Sequence, residues 1–307
     1  PMFRTPGPGS HLTRKRRNNL MKQYNGNKRR VNNKPINVAP SFNVIHQNIP
    51  GGKGQTIENV GTILDKILNR FKPAILFLSE VDPAMVEFNT PPEYTFVKGT
   101  LAGKDNVRVC ALLKVTEKFE VLELNLLVPT VAVKLLGWVF CGVYREWTYG
   151  GDQTTKNRRD LEFVRLKSLV RYWRSIRGKG LICGDFNFDP YVTEPLTAHQ
   201  KSLTEIREFM EAEITDRGWC QYIQEITRSR IGQEPAILDH IYCNKEDFIE
   251  TLFRENVSGT DHYAVGAKVR LTTPVFISET FFCRNIKKIP QVTLNVSFVQ
   301  VVYTRFT

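Results

Sequence analysis

The sequence predicts an α/β fold: two packed mixed β-sheets flanked by helices, a four-layer α/β sandwich. Three observations lead there. Short apolar runs of strand length, such as AILFLSE at 74–80 and GLICGD at 180–185, recur along the chain and arrive in groups. Three longer segments, well separated from one another, carry apolar residues at helical spacing instead. The chain, at 307 residues and 41% hydrophobic, is long enough to bury one large core or two small ones.

Taken in order, INVAPSFNVIHQN is an extended run interrupted by Pro40 and closed by a Pro-Gly-Gly turn. Residues 55–70 set Ile57, Val60, Leu64, Ile67 and Leu68 on one helical face, and Pro73 stops that helix. AILFLSE follows as a buried strand ending at Glu80. Further strands are expected at about 93–98, 107–115, 119–126, 130–135 and 137–144, the last ending in GVYREW. A second helix at about 156–176 aligns Phe163, Leu166, Leu169, Val170, Trp173 and Ile176, and leads into GLICGD. A third, at about 200–213, precedes the strands CQYIQEIT and AILDHIYC, and YAVGAKVRL closes the series.

The net charge of +12 is unevenly distributed. Residues 1–34 hold ten Lys or Arg and no acid, leaving 33 basic against 31 acidic residues elsewhere, so the folded part is nearly neutral. The 1–34 tail is poor in apolar residues and is expected to be disordered when alone. Two readings stand for it: a solvated leader, partly an expression remnant around GPGS, or a polyanion-binding arm or nuclear-import signal. The six cysteines show no zinc spacing and read as reduced core residues rather than a disulfide framework. No run of 18 apolar residues exists and the start lacks the order of an export leader, so neither a membrane span nor a leader is expected.

Several apolar runs end in residues suited to metal or phosphate chemistry. They are Asn48, Glu80, Asp185 with Asn187, and Asp239, followed by Asp261 and His262 in GTDHYAV. A strand end holds a side chain rigidly at the rim of a sheet, where water and substrate reach it. Singly, each of these residues is ordinary turn chemistry. Their order and spacing together carry the signal. A phosphodiester is anionic and repels hydroxide, so hydrolysis needs a hard cation with oxygen ligands, an aimed water, and donors for the charge that develops.

In this order, HQNIPG, LFLSEVD, GVYREW, CGDFNFDP, ILDHIY and TDHYAV resemble the endonuclease/exonuclease/phosphatase superfamily, and are most similar to the apurinic-like endonuclease domain of non-LTR (LINE-type) retrotransposons. The likeness covers roughly 36–272. It implies an endonuclease domain at 35–272 and a linker at 273–307, where CRNIKKI is similar to the segment leading toward a downstream reverse transcriptase; the other reading of that segment is two extra strands. It implies Glu80 as the metal-binding carboxylate, with Asn48 and Asp261 beside it; Asp185 to orient or deprotonate the water; Asn187 and Tyr144 to hold the scissile phosphate; and Asp239 to hydrogen-bond His262. Mg²⁺ is the implied ion, with Mn²⁺ as a substitute and no small-molecule cofactor.

Thr260 stands where the family has Ser, and so keeps the hydroxyl. Pro50 replaces a second acid, and YREW replaces a Tyr-x-Pro-Asn, which argues against a dedicated abasic-site repair enzyme. Between CQYIQEIT and AILDHIY lies RSRIGQEP, expected to be a hairpin loop. The resemblance implies that it meets the DNA minor groove, with Thr227, Arg228 and Arg230 as contacts. It reads equally as a solvated loop, or as arginines that touch only phosphates. The implied activity is nicking of one strand of double-stranded DNA to leave a 3′-hydroxyl that primes reverse transcription, acting in the nucleus, with element RNA reached through the rest of a polyprotein. The alternatives are a phosphomonoesterase or phospholipid phosphodiesterase of the same superfamily, and a catalytically inactive DNA-binding module.

Overall fold

Within each apolar run, successive side chains point to opposite faces, and in the central strands both faces are covered. The computed structural model describes residues 40–49, 55–103, 107–146, 153–191, 198–215 and 218–271; the tail at 1–34 and the linker reading of 273–307 lie outside them. Among the described residues twelve strands form two six-stranded sheets.

The first sheet contains β1 (Ser41–Asn48), β2 (Ile75–Ser79), β3 (Tyr94–Lys98), β4 (Val109–Lys114), β11 (Ile249–Asn256) and β12 (Tyr263–Arg270), in the order β11-β12-β1-β2-β4-β3. The second contains β5 (Glu120–Leu122), β6 (Thr130–Leu135), β7 (Trp138–Tyr144), β8 (Lys179–Asp185), β9 (Cys220–Gln221) and β10 (Asp239–Cys243), in the order β5-β6-β7-β8-β10-β9. Each sheet has one parallel pair, β1–β2 and β7–β8, and antiparallel neighbours otherwise. A parallel pair needs a crossover. The crossovers are α1 (Ile57–Phe71) and α3 (Gln153–Ser175).

Alternation assigns the layers. Ile75 and Phe77 of β2 face the second sheet and join Val131, Val133, Phe140, Leu181 and Cys183 in the inter-sheet core. Leu76 and Leu78 face outward under Val60, Ile63, Leu64 and Ile67 of α1. On the far side Cys141 and Ile182 lie beneath Leu166, Leu169 and Trp173 of α3 and Met210 of α4 (Ala198–Glu213). Layers of helix, sheet, sheet and helix result, as the run lengths and spacings predict.

Gly142 of β7 has a packing reason for lacking a side chain, because a Cβ there would overlap the Phe77 ring across the inter-sheet core. Gly142→Ala is therefore expected to cost about 1–3 kcal/mol by overpacking, read as a lower midpoint in denaturant unfolding at unchanged slope.

Four local differences from the sequence reading stand out. The run CQYIQEIT is strand only at Cys220–Gln221, because the Gln221 side chain bonds both the N–H and the carbonyl of Ile223 and takes groups a ladder would use. The strand expected at 119–126 is confined to Glu120–Leu122. Helix α2 (Pro83–Phe88) and strand β11 were not expected. The first is one short turn set by the Asp82 cap and Pro83, and the second is a half-exposed edge strand with charged residues breaking its apolar pattern. No helix among the described residues is long and apolar enough to cross a membrane. Four of the five described cysteines are buried, Cys220 is exposed, and all five are free.

Candidate active site

The parallel pairs end at one rim. Asn48 and Ser79 are register partners at the ends of β1 and β2, and Glu80 follows. In the second sheet Tyr144 and Asp185 are partners at the ends of β7 and β8, and Asp239 stands opposite Asp185 at the start of β10. Packing sheet on sheet brings these two rows together. Asn48 Nδ2 donates to Asp185 Oδ2 at 2.5 Å, and Tyr144 Oη donates to Glu80 Oε1 at 3.1 Å.

Glu80 and Asn187 share a backbone feature. Both have positive φ, +58° and +52°, in the left-handed region that costs a non-glycine residue about 1–3 kcal/mol. Each is held there by an arginine. Arg108 donates to the Glu80 carbonyl at 2.6 Å while the Glu80 N–H bonds the Arg108 carbonyl. Arg145, only 2% exposed, donates to the carbonyls of Phe186 and Asn187, and Asn187 Nδ2 donates to the Arg145 carbonyl at 2.6 Å. The Asn187 N–H also closes on Asp185 Oδ1 at 2.9 Å. The GDFN turn is thus clamped from both sides.

His262 precedes β12. Its Nδ1 lies 2.8 Å from Asp239 Oδ2, its N–H bonds Thr260 Oγ1, its carbonyl accepts from Gln47, and the Thr260 hydroxyl donates to the Asn48 carbonyl. The hydroxyl expected at Thr260 therefore ties His262 to β1.

The electrostatics follow from burial and from the register pair of carboxylates. Burial first, and then Asp239, pushes the Asp185 carboxyl up to about 8, against the opposing pull of His262. Burial also works against ionised Asp239, but its two histidine neighbours, His262 and His46, outweigh this and hold it well below the usual carboxylate range. Burial disfavours an imidazolium at His262, yet Asp239 wins and lifts it to about 9. Burial, with Glu80 next, raises Tyr144, so its phenol keeps its proton and acts as a donor.

Above this cluster lies a cleft of about 1270 Å³ lined by Glu80, Tyr144, Asn187, Arg228, Arg230 and His262, among others. Asp185 and Asp239 are fully buried behind its floor. Asp261 also lines the cleft, but its carboxylate pairs with Arg228 at 3.3 Å and is engaged there rather than with Glu80.

The RSRIGQEP segment is a hairpin, with Arg228 bridged to Ala236 and, on its other side, to His262. Arg230 is exposed on it, and Arg228 also donates to Gln233 Oε1. Thr227 is a correction. The resemblance implied a DNA contact, but its side chain is fully buried and its hydroxyl accepts from the backbone N–H groups of Leu238 and Asp239, both at 2.9 Å. It braces the start of β10 and with it Asp239.

No protein-family model and no curated protein matches the chain. Solved structures do. The 3′ phosphatase NExo from Neisseria, bound to product DNA hairpin, matches with TM-score 0.54 at 13% identity, over 74% of this chain and 99% of its own. The endonuclease domain of TRAS1, a telomere-specific non-LTR retrotransposon, matches with TM-score 0.50 at 14% identity, over 76% and 99%. An endonuclease/exonuclease/phosphatase family protein from Bacteroides thetaiotaomicron matches with TM-score 0.50 at 14% identity, over 75% and 95%.

The fold is that of endonuclease/exonuclease/phosphatase proteins. In this endonuclease/exonuclease/phosphatase fold the expected residues Asn48, Glu80, Tyr144, Asp185, Asn187, Asp239 and His262 form one connected cluster. Sequence reasoning missed Arg145, although it sits inside the quoted YREW, and His46, inside HQNIPG. Gln47, in the same HQNIPG, was missed too, and Arg108 lies outside every motif: its importance comes from what another strand brings beside it.

Proposed function

We propose that this chain is a Mg²⁺-dependent DNA endonuclease of the non-LTR retrotransposon kind, hydrolysing one phosphodiester of double-stranded DNA and leaving a 3′-hydroxyl that primes reverse transcription. The observation that carries the proposal is the cleft itself, where Glu80, Tyr144, Asn187 and His262 meet a hairpin bearing Arg228 and Arg230. A structural neighbour that is a retrotransposon endonuclease, and another that holds product DNA, support this reading.

The donor set fits a hard divalent cation. Such an ion takes one or two carboxylates and keeps several waters. Glu80 faces the cleft, and Asn48 Oδ1 is a buried acceptor without a hydrogen-bond partner next to Asp185. Glu80 and Asn48 would hold Mg²⁺, or Mn²⁺ in its place, and Asp261 would join them on leaving Arg228. The ion would supply withdrawal of charge from the phosphate oxygens.

The chain's own residues do the rest. His262 as imidazolium, the second N–H of the Asn187 amide and, on turning from Glu80 Oε1, the Tyr144 phenol donate to the non-bridging oxygens. Asp185, with proton affinity near neutral, takes one proton of a water that enters between Glu80, Tyr144 and Asn187; the water oxygen bonds phosphorus as the P–O3′ bond breaks, and the departing 3′ oxygen takes its proton from solvent. Arg228 and Arg230 hold flanking phosphates. The domain spans 35–272 of a longer polyprotein whose remainder binds element RNA, and it acts in the nucleus.

Supercoiled plasmid with Mg²⁺ tests the reading. Relaxed circles that form with metal and not with EDTA support it; phosphate release from inositol phosphates without nicking would transfer the site to the phosphatases, and a gel shift without nicking would leave a binding module. Arg230→Ala is expected to weaken DNA binding evenly across sequences and to flatten the slope of log affinity against log salt by about 0.9. A relaxed sequence preference instead would make Arg230 a base reader.

A further inference from the structure

Asp239 lies between two histidines. Its Oδ2 pairs with His262, whereas its Oδ1 is buried and faces His46 Nδ1 at 3.4 Å. Neither Oδ1 nor His46 Nδ1 makes a hydrogen bond in this structure, so the 3.4 Å approach brings two unsatisfied buried groups face to face. On its far side His46 Nε2 lies 3.0 Å from Ser79 Oγ, and His46 is completely buried. Ser79 in turn precedes Glu80, whose positive φ presents its carboxylate to the cleft. One imidazole from the first sheet therefore spans the gap between the base of the Glu80 turn and the Asp239–His262 pair of the other half of the site.

We propose that His46 is a positioning residue that holds Asp239 in the orientation His262 requires. The proposal deepens the endonuclease reading and rests on it for the role of His262. One tautomer matches the polarity of every atom in the row. With the proton on Nδ1, His46 presents its N–H to Asp239 Oδ1, and its Nε2 lone pair accepts the Ser79 hydroxyl. A carboxylate gripped at one oxygen can rotate about its Cβ–Cγ bond; gripped at both, it keeps Oδ2 in line with His262 Nδ1, which fixes the direction of the ring. Leaving Oδ1 unmatched in a site with no water access costs the full desolvation of a charged acceptor, so the pair is favoured over an empty contact. A histidine serving only as core filling would have no need of a second polar neighbour on the opposite sheet.

Three substitutions separate positioning from packing. Asparagine carries an amide nitrogen where Nδ1 stands and keeps the donor toward Asp239. Glutamine carries one where Nε2 stands and keeps only the link toward Ser79. Leucine keeps volume alone. The expected result is a fall in kcat of about 10–100-fold for His46→Leu and His46→Gln with KM unchanged, of the size seen when an orienting partner is removed, and recovery of most of that loss in His46→Asn.

The far-downfield proton resonance of His262 Nδ1–H reads the same effect without catalysis. It is expected to shift in the leucine and glutamine variants and to stay near the parent position in asparagine. An unmoved resonance in all three, or a glutamine variant as active as the asparagine one, overturns the proposal. If the resonances separate as described but the parent protein nicks no DNA, the endonuclease reading fails and the positioning role stands. Should the leucine variant not fold, the comparison of glutamine with asparagine decides alone.

Discussion

Asp185→Asn is expected to slow plasmid nicking by about 10²–10⁴-fold, the contribution of a positioned acid or base, while the variant melts no lower than the parent. The two halves of this result have one cause. Asp185 is completely buried and stands in register with Asp239, so its ionised form pays for desolvation and for a like charge at once. Those interactions hold its proton until about 8 and fit it for proton transfer. They also oppose folding. In the unfolded chain this carboxyl ionises near its ordinary value, about 3.9. The penalty therefore grows as pH rises from there and is complete above the folded value of about 8. An amide escapes it. The gain in melting temperature over the parent should accordingly be small near pH 4 and largest above pH 8, measured in EDTA. Residual nicking within tenfold of the parent would remove Asp185 from the chemistry.

His262→Gln is expected to cost about 10²–10³-fold in kcat, the scale for losing one preorganised donor to a developing oxyanion, and to erase one limb of the pH profile. In the parent the rate should rise as Asp185 loses its proton through about 8, and fall as His262 loses its own through about 9. The variant keeps a rising limb, moved to higher pH because His262 no longer holds Asp185 down, and has no falling one. Raising the Mg²⁺ concentration should move the rising limb to lower pH, since a cation beside Asp185 favours the carboxylate. A falling limb that survives in the variant would assign it to another group. The same pair has a stability signature. Because His262 is lifted above its unfolded value near 6.5, its support for the fold is complete below that pH and is lost as pH rises through about 9.

Much of the site was legible because polar side chains on strand ends interrupt apolar runs: Asp185 after Leu181–Gly184 and Asp239 after Ile237 and Leu238 are visible breaks. The braces were not legible. Arg145 reads as one arginine among 43 Lys and Arg until it is found nearly buried under the GDFN turn. Thr227 reads as a loop hydroxyl, and only the backbone N–H groups of Leu238 and Asp239 arriving beside it turn it into a support. Asp261 reads as a ligand, and its pairing with Arg228 depends on a hairpin whose course the sequence does not dictate.

By itself the sequence determined what is local and periodic. Alternation and helical spacing settle the long strands and helices, though not α2, β11 or how far the runs at 119–126 and 220–227 pair, and two-sided burial of strands such as β2 and β8 settles that helices cover the sheets. Tertiary structure alone decided which strand ends share a rim, that Asp185 and Asp239 stand in register, and that His46 reaches across from the other sheet. Those facts depend on register and on the seating of Phe77 against Gly142. Such contacts join residues up to about two hundred positions apart, and no local preference of the chain encodes them.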